Sequence, residues 1–282
     1  MTAHRILSWT PAAVVFDCDG TLMDTERHWV DARDAVLREY GCTAAPGFAE
    51  QARGLHYTAC GRLMADQAGR PELADEMTDA LLDRFRRLVA ADPATMPGAP
   101  ELVRTAARFA PLAVASNCPL EVVESCLDLA GLRHFFGHIV VPDDTTRPKP
   151  HPDVYLTAAR LCGVEPERAL AVEDSQCGIQ AAAAAGLRVI GVGPRPSGRE
   201  AAPADWWVRS LAEPAVQGWA GARIPAQGGG PGSARNGSAN GSPNGSNGSG
   251  PGASRNGSGP GPSGRSDGGG PPANGTGNGG AP

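Results

Sequence analysis

Two aspartates near the start of the chain stand two residues apart, directly after an apolar run. Asp17 and Asp19 are followed by Gly20, which permits a sharp turn, and by Thr21, which adds a hydroxyl group. Side chains at positions i and i+2 of an extended chain lie on the same face, so both carboxylates can reach one site. Paired carboxylates either bind a hard cation such as Mg²⁺ or divide the roles of nucleophile and general acid. Such a pair is also common in surface turns, and the apolar run before it favours the chemical interpretation.

A second acidic pair, Glu173 and Asp174, ends another apolar run. Two carboxylates can also mark the start of a helix, because the helix dipole stabilises negative charge at its N-terminus. That interpretation suits an isolated pair, whereas two acidic clusters at equivalent strand ends favour a shared site. Ser116 and Asn117 follow a third apolar run in the same way and offer a hydroxyl group and an amide.

Lysine occurs once in the chain, at Lys149, against 24 arginines. The prolines around it, Pro148, Pro150 and Pro152, restrict the backbone and disfavour a helix. Lysine carries a compact point charge on a flexible stem, whereas arginine is a wide planar fork. We therefore interpret Lys149 as a positioned charge that binds phosphate. The alternative is a surface lysine that survived by chance.

Four short apolar runs alternate with helix-like stretches along the chain. The runs cover residues 12–16, 112–115, 169–172 and 188–192. Apolar residues that are continuous rather than alternating indicate strands covered on both faces, as in a parallel sheet. Strands that alternate with helices predict an α/β fold with a doubly wound parallel sheet. Ligands of such folds bind at the carboxyl ends of the strands, where the polar clusters lie.

Composition predicts how the chain is divided. Residues 25–91 mix charged and apolar residues at helical spacing, which predicts a helical cap inserted into a core made of residues 1–24 and 92–226. The alternative is that these helices only pack as part of one core. The 56 residues 227–282 contain 21 glycines and no large apolar residue. Such a segment buries too little apolar surface to fold, and we predict a disordered tail.

Charge and cysteine content limit the classes of function. Residues 1–226 carry 22 basic and 29 acidic side chains, a net charge of −7, which argues against nucleic acid as the main partner. We find no apolar run as long as a membrane span or a signal-peptide core. Seven cysteines without paired spacing are typical of reduced thiols. We expect a cytoplasmic protein, a monomer or weak homodimer, that binds neither nucleic acid nor membrane.

Taken in order, the clusters resemble the four signature motifs of the haloacid dehalogenase (HAD) superfamily of phosphohydrolases. The matching residues are Asp17-Cys-Asp-Gly-Thr21, Ser116, Lys149 and Glu173-Asp174-Ser175. The resemblance extends over about residues 12–212 and leaves the tail out. It implies a Rossmann-like core with a helical cap, as in the subgroup of β-phosphoglucomutase-like and phosphoglycolate-phosphatase-like enzymes.

The resemblance also implies roles for these residues. Asp17 would attack phosphorus to give an aspartyl-phosphate, and Asp19 would protonate the leaving oxygen and then activate water. Ser116 and Lys149 would hold the phosphate and stabilise its charge. Mg²⁺ is the implied cofactor, with ligands from Asp17, the backbone carbonyl of Asp19, Asp174 and, directly or through a second shell, Glu173. The predicted substrate contacts are Thr21, Asn117 and Arg53, the last of which is equally consistent with a solvated arginine.

The same resemblance leaves several reactions to compare. A dehalogenase needs no acid for its leaving group, so Asp19 argues against that activity. A phosphonoacetaldehyde hydrolase uses a cap lysine, and residues 25–91 contain none. A β-phosphoglucomutase has nearly the same motifs and stays open, although Trp29 and Tyr57 stand where its cap usually carries a histidine and an arginine.

A phosphate-binding or receiver-like module is the alternative that is not an enzyme. Its phosphorylated aspartate lies at a later strand, so Asp17 in the first motif argues against it. The prediction is therefore a Mg²⁺-dependent phosphatase of small phosphorylated metabolites, such as sugar phosphates or phosphoglycolate.

Overall fold

A computed structural model of the chain describes residues 6–195 and 203–225. The predicted disordered tail at 227–282 lies outside the described residues. Within the described part, no helix combines the length and the apolar character needed to cross a bilayer.

The described residues form a six-stranded sheet in which neighbouring strands are parallel. The strands are β1 (Ala13–Phe16), β2 (Leu112–Ala115), β3 (Phe136–Val140), β4 (Ala169–Glu173), β5 (Arg188–Val192) and β6 (Trp206–Val208). Their order, β3-β2-β1-β4-β5-β6, means that the winding reverses between β1 and β4. Ligand sites of doubly wound sheets lie at this reversal. The predicted fold class is confirmed.

Helices cover both faces of the sheet. They are α1 (Glu26–Glu39), α2 (Phe48–Ala52), α3 (Tyr57–Gln67), α4 (Ala74–Ala91), α5 (Ala99–Ala106), α6 (Leu120–Leu129), α7 (Asp153–Leu161), α8 (Gln176–Ala184) and α9 (Pro214–Gly221). Alternate residues of β1 enter different apolar layers, Val14 and Phe16 one and Ala13 and Val15 the other. Two buried faces explain why the strand reads as a continuous apolar run.

Two edge strands, β3 and β6, have no counterpart in the apolar runs of the sequence. In β3, Gly137 is exposed and His138 is half-buried, so the run is interrupted. In β6 the paired segment is only three residues long. Edge strands have less to bury than central ones, and their sequence signal is correspondingly weaker.

The helices α1 to α4 all lie between β1 and β2, in the predicted insert. Their apolar residues join those of the sheet in one continuous buried cluster, in which Trp29 and Phe85 belong together with Phe16 and Leu102. The helical content of residues 25–91 is therefore confirmed. The functional division into a core and a cap stays a prediction.

Candidate active site

The first acidic pair follows β1, where the chain turns sharply. Asp17 still belongs to the sheet ladder, since its N–H donates to the carbonyl of Val172 in β4. The turn places Gly20 at a positive φ of 86°. A Cβ atom at Gly20 would lie 2.6 Å from the Oδ2 atom of Asp174, so glycine is required for both conformation and space. This close approach brings the ends of β1 and β4 to one site.

Lys149 is buried against two carboxylates. Its Nζ atom donates to Asp17 Oδ1 at 2.6 Å and to Glu173 Oε2 at 2.7 Å, and the residue is 4 % exposed. It also lies 5.1 Å from the ring centroid of Tyr155. Burial alone would lower the pKa of Lys149, but the charges of Asp17 and Glu173 outweigh it and hold the pKa well above its usual range. A permanently charged ammonium group therefore stands beside Asp17.

Glu173, the last residue of β4, is held by a dense set of donors. Its Oε2 atom accepts from Lys149 and also from the hydroxyl group of Tyr155 at 2.6 Å. Its Oε1 atom accepts from the backbone N–H of Ser175 at 3.1 Å and from the Ser175 hydroxyl group at 2.8 Å. Ser175 also caps α8 by accepting from the N–H of Gly178. The helix cap is thus a serine, and Glu173 positions the lysine.

Three carboxylates, those of Asp17, Glu173 and Asp174, offer oxygen atoms that all lie within 4.8 Å of one another. Burial and the charge of Glu173 raise the pKa of Asp17 well above its ordinary range and that of Asp174 to about 7. The buried Oδ2 atom of Asp17 has no hydrogen-bond partner among the described residues. Crowded carboxylates with an unsatisfied buried oxygen fit a hard divalent cation, which prefers oxygen ligands. The acidic cluster is therefore a candidate metal site.

Asp19 points away from this cluster, toward α1. Its Oδ1 atom accepts from the hydroxyl group of Thr25 at 2.6 Å and from the indole N–H of Trp29 at 3.4 Å. The hydroxyl group of Ser116 lies 3.5 Å from Asp19 Oδ2. The two aspartates share one edge of the sheet, as their spacing predicts. They occupy different surroundings, Asp17 among carboxylates and Asp19 among neutral donors.

Ser116 and Asn117 follow β2 and reach the same cavity. The Ser116 oxygen also accepts from the N–H of Cys118 at 3.0 Å, which fixes the hydroxyl group. The Asn117 amide accepts from the N–H of Lys149 at 2.9 Å, and its nitrogen donates to the carbonyl of Gly54 at 2.9 Å. Asn117 therefore connects the lysine segment with the helical insert.

The other two predicted substrate contacts, Arg53 and Thr21, both donate hydrogen bonds to Asp174. Arg53 donates to its Oδ2 atom at 3.0 Å, with 46 % of the arginine side chain exposed. Thr21 is buried and places its hydroxyl group 3.3 Å from the Oδ1 atom. Arg53 also lines the cavity, so it is more than a solvated surface arginine.

The cavity lies between the sheet edge and the insert, and the insert supplies two residues that the sequence prediction missed, Glu26 and Arg33. Glu26, Trp29 and Arg33 line it from α1, next to Tyr57 at the start of α3. Positions i, i+3 and i+7 share one face of a helix, and this spacing could have identified the three together. Arg33 is the informative one, because a charged residue on the buried face of a helix is rare without a partner.

Comparisons with known proteins show the family of the chain. Residues 14–192 match the family model described as haloacid dehalogenase-like hydrolase. Validoxylamine A 7'-phosphate phosphatase of Streptomyces hygroscopicus subsp. limoneus is 30 % identical over 213 residues, covering 71 % of this chain and 93 % of that protein. Fructose-1-phosphate phosphatase YqaB of Escherichia coli (strain K12) is 32 % identical over 189 residues, covering 64 % of this chain and 96 % of the relative.

A solved structure shows the same fold. β-Phosphoglucomutase from Clostridium difficile superposes with a TM-score of 0.66 and 20 % identity, covering 76 % of this chain and 99 % of the other. At that identity the likeness shows the fold and does not favour mutase activity. The expected hydrolase of phosphate monoesters is confirmed, and the non-enzymatic alternative is not supported. The chain belongs to the haloacid dehalogenase-like hydrolase family.

Proposed function

We propose that the protein is a Mg²⁺-dependent phosphatase of small phosphorylated metabolites that works through an aspartyl-phosphate. The observation that carries this proposal is the state of Asp17, with one oxygen bound to Lys149 and the other buried without a hydrogen-bond partner among the described residues. Burial raises the pKa of Asp17, and the charge of Lys149 opposes that shift. A carboxylate beside a lysine is a suitable nucleophile, and its unpartnered oxygen is available to a metal ion.

In the first step, an oxygen of Asp17 forms a bond to phosphorus as the bond to the leaving alkoxide breaks. Asp19 gives its proton to the leaving oxygen, so the alcohol departs neutral. In the second step, Asp19 takes a proton from water, whose oxygen attacks the same phosphorus atom. The bond to Asp17 then breaks, which releases inorganic phosphate and restores the carboxylate of Asp17 and the protonated form of Asp19. The hydroxyl of Ser116 and the ammonium of Lys149 hold the phosphate during both steps.

The metal would be held by Asp17 and Asp174, the backbone carbonyl of Asp19 and, directly or through a second shell, Glu173. Support comes from the close carboxylate oxygens and from the unpartnered Oδ2 atom of Asp17. When bound, Mg²⁺ would supply positive charge that offsets the charge of the phosphoryl group. The four bonds already made to Glu173 favour its second-shell role.

Residues 25–91 would form the cap that closes over the core, and the tether between Asn117 and Gly54 supports this division. Arg53 would contact the substrate with N–H groups that its ion pair with Asp174 does not use. Thr21 and Asn117 would act by positioning Asp174 and Lys149. The relatives that act on validoxylamine A 7'-phosphate and on fructose 1-phosphate support a sugar-like metabolite. We expect the enzyme to work in the cytoplasm as a monomer or weak homodimer.

The proposal is tested by hydrolysis of p-nitrophenyl phosphate by the purified full chain, with Mg²⁺ and with EDTA. Wild type should release phosphate only with the metal, and Asp17→Asn should lose at least about 10³-fold in kcat because the nucleophile is gone. Asp83→Asn is the matched control, since Asp83 is an exposed carboxylate of α4 that is paired with Arg87. It should retain wild-type activity.

Two results would overturn the proposal. One is metal-dependent hydrolysis that survives Asp17→Asn, and the other is full activity of the wild type in EDTA. The mutase alternative has its own measurement, which is conversion of β-glucose 1-phosphate to glucose 6-phosphate. We expect release of phosphate instead, because Trp29 occupies the place of the histidine expected in a mutase cap.

A further inference from the structure

A buried ion pair lines the cavity on the side of the insert. The Nη2 atom of Arg33 donates to Glu26 Oε1 at 3.0 Å, and the Nη1 atom donates to the carbonyl of Ala52 at 3.3 Å. The Arg33 side chain is 4 % exposed and that of Glu26 is 24 % exposed. Burial raises the pKa of Glu26, and Arg33 opposes that shift. Trp29 lies one helical turn from each member of the pair, between them, and contacts the proposed acid Asp19.

The pair presents hydrogen-bonding groups without net charge. The second carboxylate oxygen of Glu26 has no hydrogen-bond partner among the described residues, and Arg33 carries more N–H groups than its contacts with Glu26, Ala52 and Cys60 use. An acceptor and a donor side by side match a hydroxyl group, which both donates and accepts. They match a second phosphate or a carboxylate poorly, because its charge would stand against the carboxylate of Glu26.

No cation that lines the cavity from the described residues is left to neutralise a second anion. Arg33 is paired with Glu26, Arg53 with Asp174, and Lys149 with Asp17 and Glu173. The remaining wall near the pair includes two aromatic rings. Trp29 is fixed by stacking on Phe85, with centroids 3.7 Å apart, and Tyr57 lines the same region. Aromatic walls beside a neutral polar pair suit the carbon skeleton of a polyol.

From this arrangement we propose that Glu26 and Arg33 form the subsite for the leaving group and select an uncharged, polyhydroxylated one. The inference rests on the proposed function, since it assumes that the phosphate binds at Asp17 and Lys149. It adds a substrate class to that function, namely phosphate monoesters of neutral polyols. Esters whose leaving group carries a carboxylate or a second phosphate are rejected.

A binding measurement tests this inference independently of catalysis. Full-length Asp17→Asn protein, which should bind without turnover, is titrated calorimetrically in Mg²⁺ with sorbitol 6-phosphate and with 6-phosphogluconate. These open-chain esters differ only at C1, where one has a hydroxymethyl group and the other a carboxylate. We expect sorbitol 6-phosphate to bind at least about tenfold more tightly, since a hydrogen bond to a charged group and an anion facing a carboxylate each contribute at this level.

A second substitution, added to the Asp17→Asn protein, tests the role of Glu26. Glu26→Gln should reduce the ratio of the two dissociation constants by about tenfold, because the amide no longer repels the carboxylate ligand. Glu39→Gln is the matched control, since Glu39 lies on the same helix but is exposed and paired with Arg84. It should leave the ratio unchanged. Arg33→Lys serves as a second variant that keeps the charge and should weaken sorbitol 6-phosphate.

The outcomes separate cleanly. Equal affinities in the parent, or an unchanged ratio in folded Glu26→Gln protein, would overturn the subsite even if wild type hydrolyses p-nitrophenyl phosphate. A merely structural role would weaken both ligands equally and leave the ratio as it was. Failure of wild type to hydrolyse p-nitrophenyl phosphate would overturn the proposed function instead, and the ratio would still decide the inference.

Discussion

The two walls of the cavity are built differently. On the sheet side, the buried Lys149 of the proline-rich segment donates to Asp17 and to Glu173, which are buried at strand ends. On the insert side, Glu26 and Arg33 form a separate pair on one helix face. The sheet side carries more carboxylates than ammonium groups, and this excess of negative charge favours binding of a cation. The insert side is electrically balanced.

The difference separates two tasks. A surplus of buried carboxylates is costly unless positive charge is added, so the sheet wall is suited to bind a metal ion and a phosphate together. An ion pair without net charge is stabilised little by a metal ion or a phosphate. It can instead distinguish one leaving group from another. Substitutions in the sheet wall should therefore change the rate for every substrate, and those in the insert wall should change the choice among substrates.

The largest effect is expected at Lys149. Lys149→Arg keeps the charge but puts a wider, planar group between Asp17 and Glu173, where Nζ now makes contacts of 2.6 Å and 2.7 Å. We expect kcat on p-nitrophenyl phosphate to fall by about 10²- to 10³-fold, as when a preorganised charge contact is lost. Steady-state kinetics on several esters should show the same loss for each.

The control lies two residues away. Arg147 is 61 % exposed in its side chain and is paired with Asp153, so Arg147→Lys changes the same two residue types in the opposite direction at the surface. Its activity should be close to that of wild type. Near-normal activity of Lys149→Arg would mean that the sheet wall tolerates a wider cation and that the scarcity of lysine carries no functional information.

The residues of the sheet wall could be predicted from the sequence, whereas those of the insert wall could not, for a physical reason. Strand ends are marked by an abrupt change from apolar to polar residues, which located Asp17, Ser116 and Glu173 beside one another. A helix face is marked only by spacing, and α1 contains charged residues at many positions. Spacing places Arg33 on the same face as Glu26 and Trp29, but it does not show that this face is buried while Arg38 is exposed, because burial depends on what packs against the helix.

The contacts between the elements were also beyond the sequence. Gly20 was expected to allow a turn, but its approach to Asp174 is a tertiary feature. The tether between Asn117 and Gly54, and the placement of Arg53 on Asp174, depend on how the insert sits over the sheet. The edge strands β3 and β6 were missed because their apolar runs are interrupted or short.

An effect on stability should follow from the acidic excess of the sheet wall. The pKa of Asp174 rises from 3.8 to about 7 in the folded protein, mainly through burial and then through Glu173. An acid with a raised pKa contributes stability below its unfolded pKa and loses it as pH rises through the folded value. In EDTA, this group should thus lower the free energy of unfolding between about pH 4 and pH 7, by roughly 4 kcal/mol at most.

Thermal unfolding at pH 5 and pH 8 measures this contribution. Asp174→Asn should flatten the decrease in Tm seen in EDTA, and Mg²⁺ should raise the Tm of wild type more at pH 8 than at pH 5, because the metal competes with protons. Asp83→Asn, at an exposed position, should keep the slope of wild type. If Tm in EDTA falls between pH 5 and pH 8 as much in Asp174→Asn as in wild type, ionisation of Asp174 does not destabilise the folded protein.

The smallest effect is expected where the two walls meet, at Trp29. Trp29→Phe preserves an aromatic ring against Phe85 but removes the N–H group that lies 3.4 Å from Asp19 Oδ1. The Thr25 hydroxyl group, at 2.6 Å, still holds that oxygen. Loss of one long hydrogen bond should lower kcat by about threefold and leave KM for p-nitrophenyl phosphate nearly unchanged.

The same change at Trp206, a half-buried tryptophan of β6, provides the control and should leave kcat unaltered. If Trp29→Phe instead raises KM for sorbitol 6-phosphate while kcat is preserved, Trp29 belongs to the insert wall and acts on the leaving group. If kcat falls for every ester, the residue belongs with Asp19. In that case one face of α1 carries both functions, with Trp29 acting on the rate and the pair formed by Glu26 and Arg33 acting on selectivity.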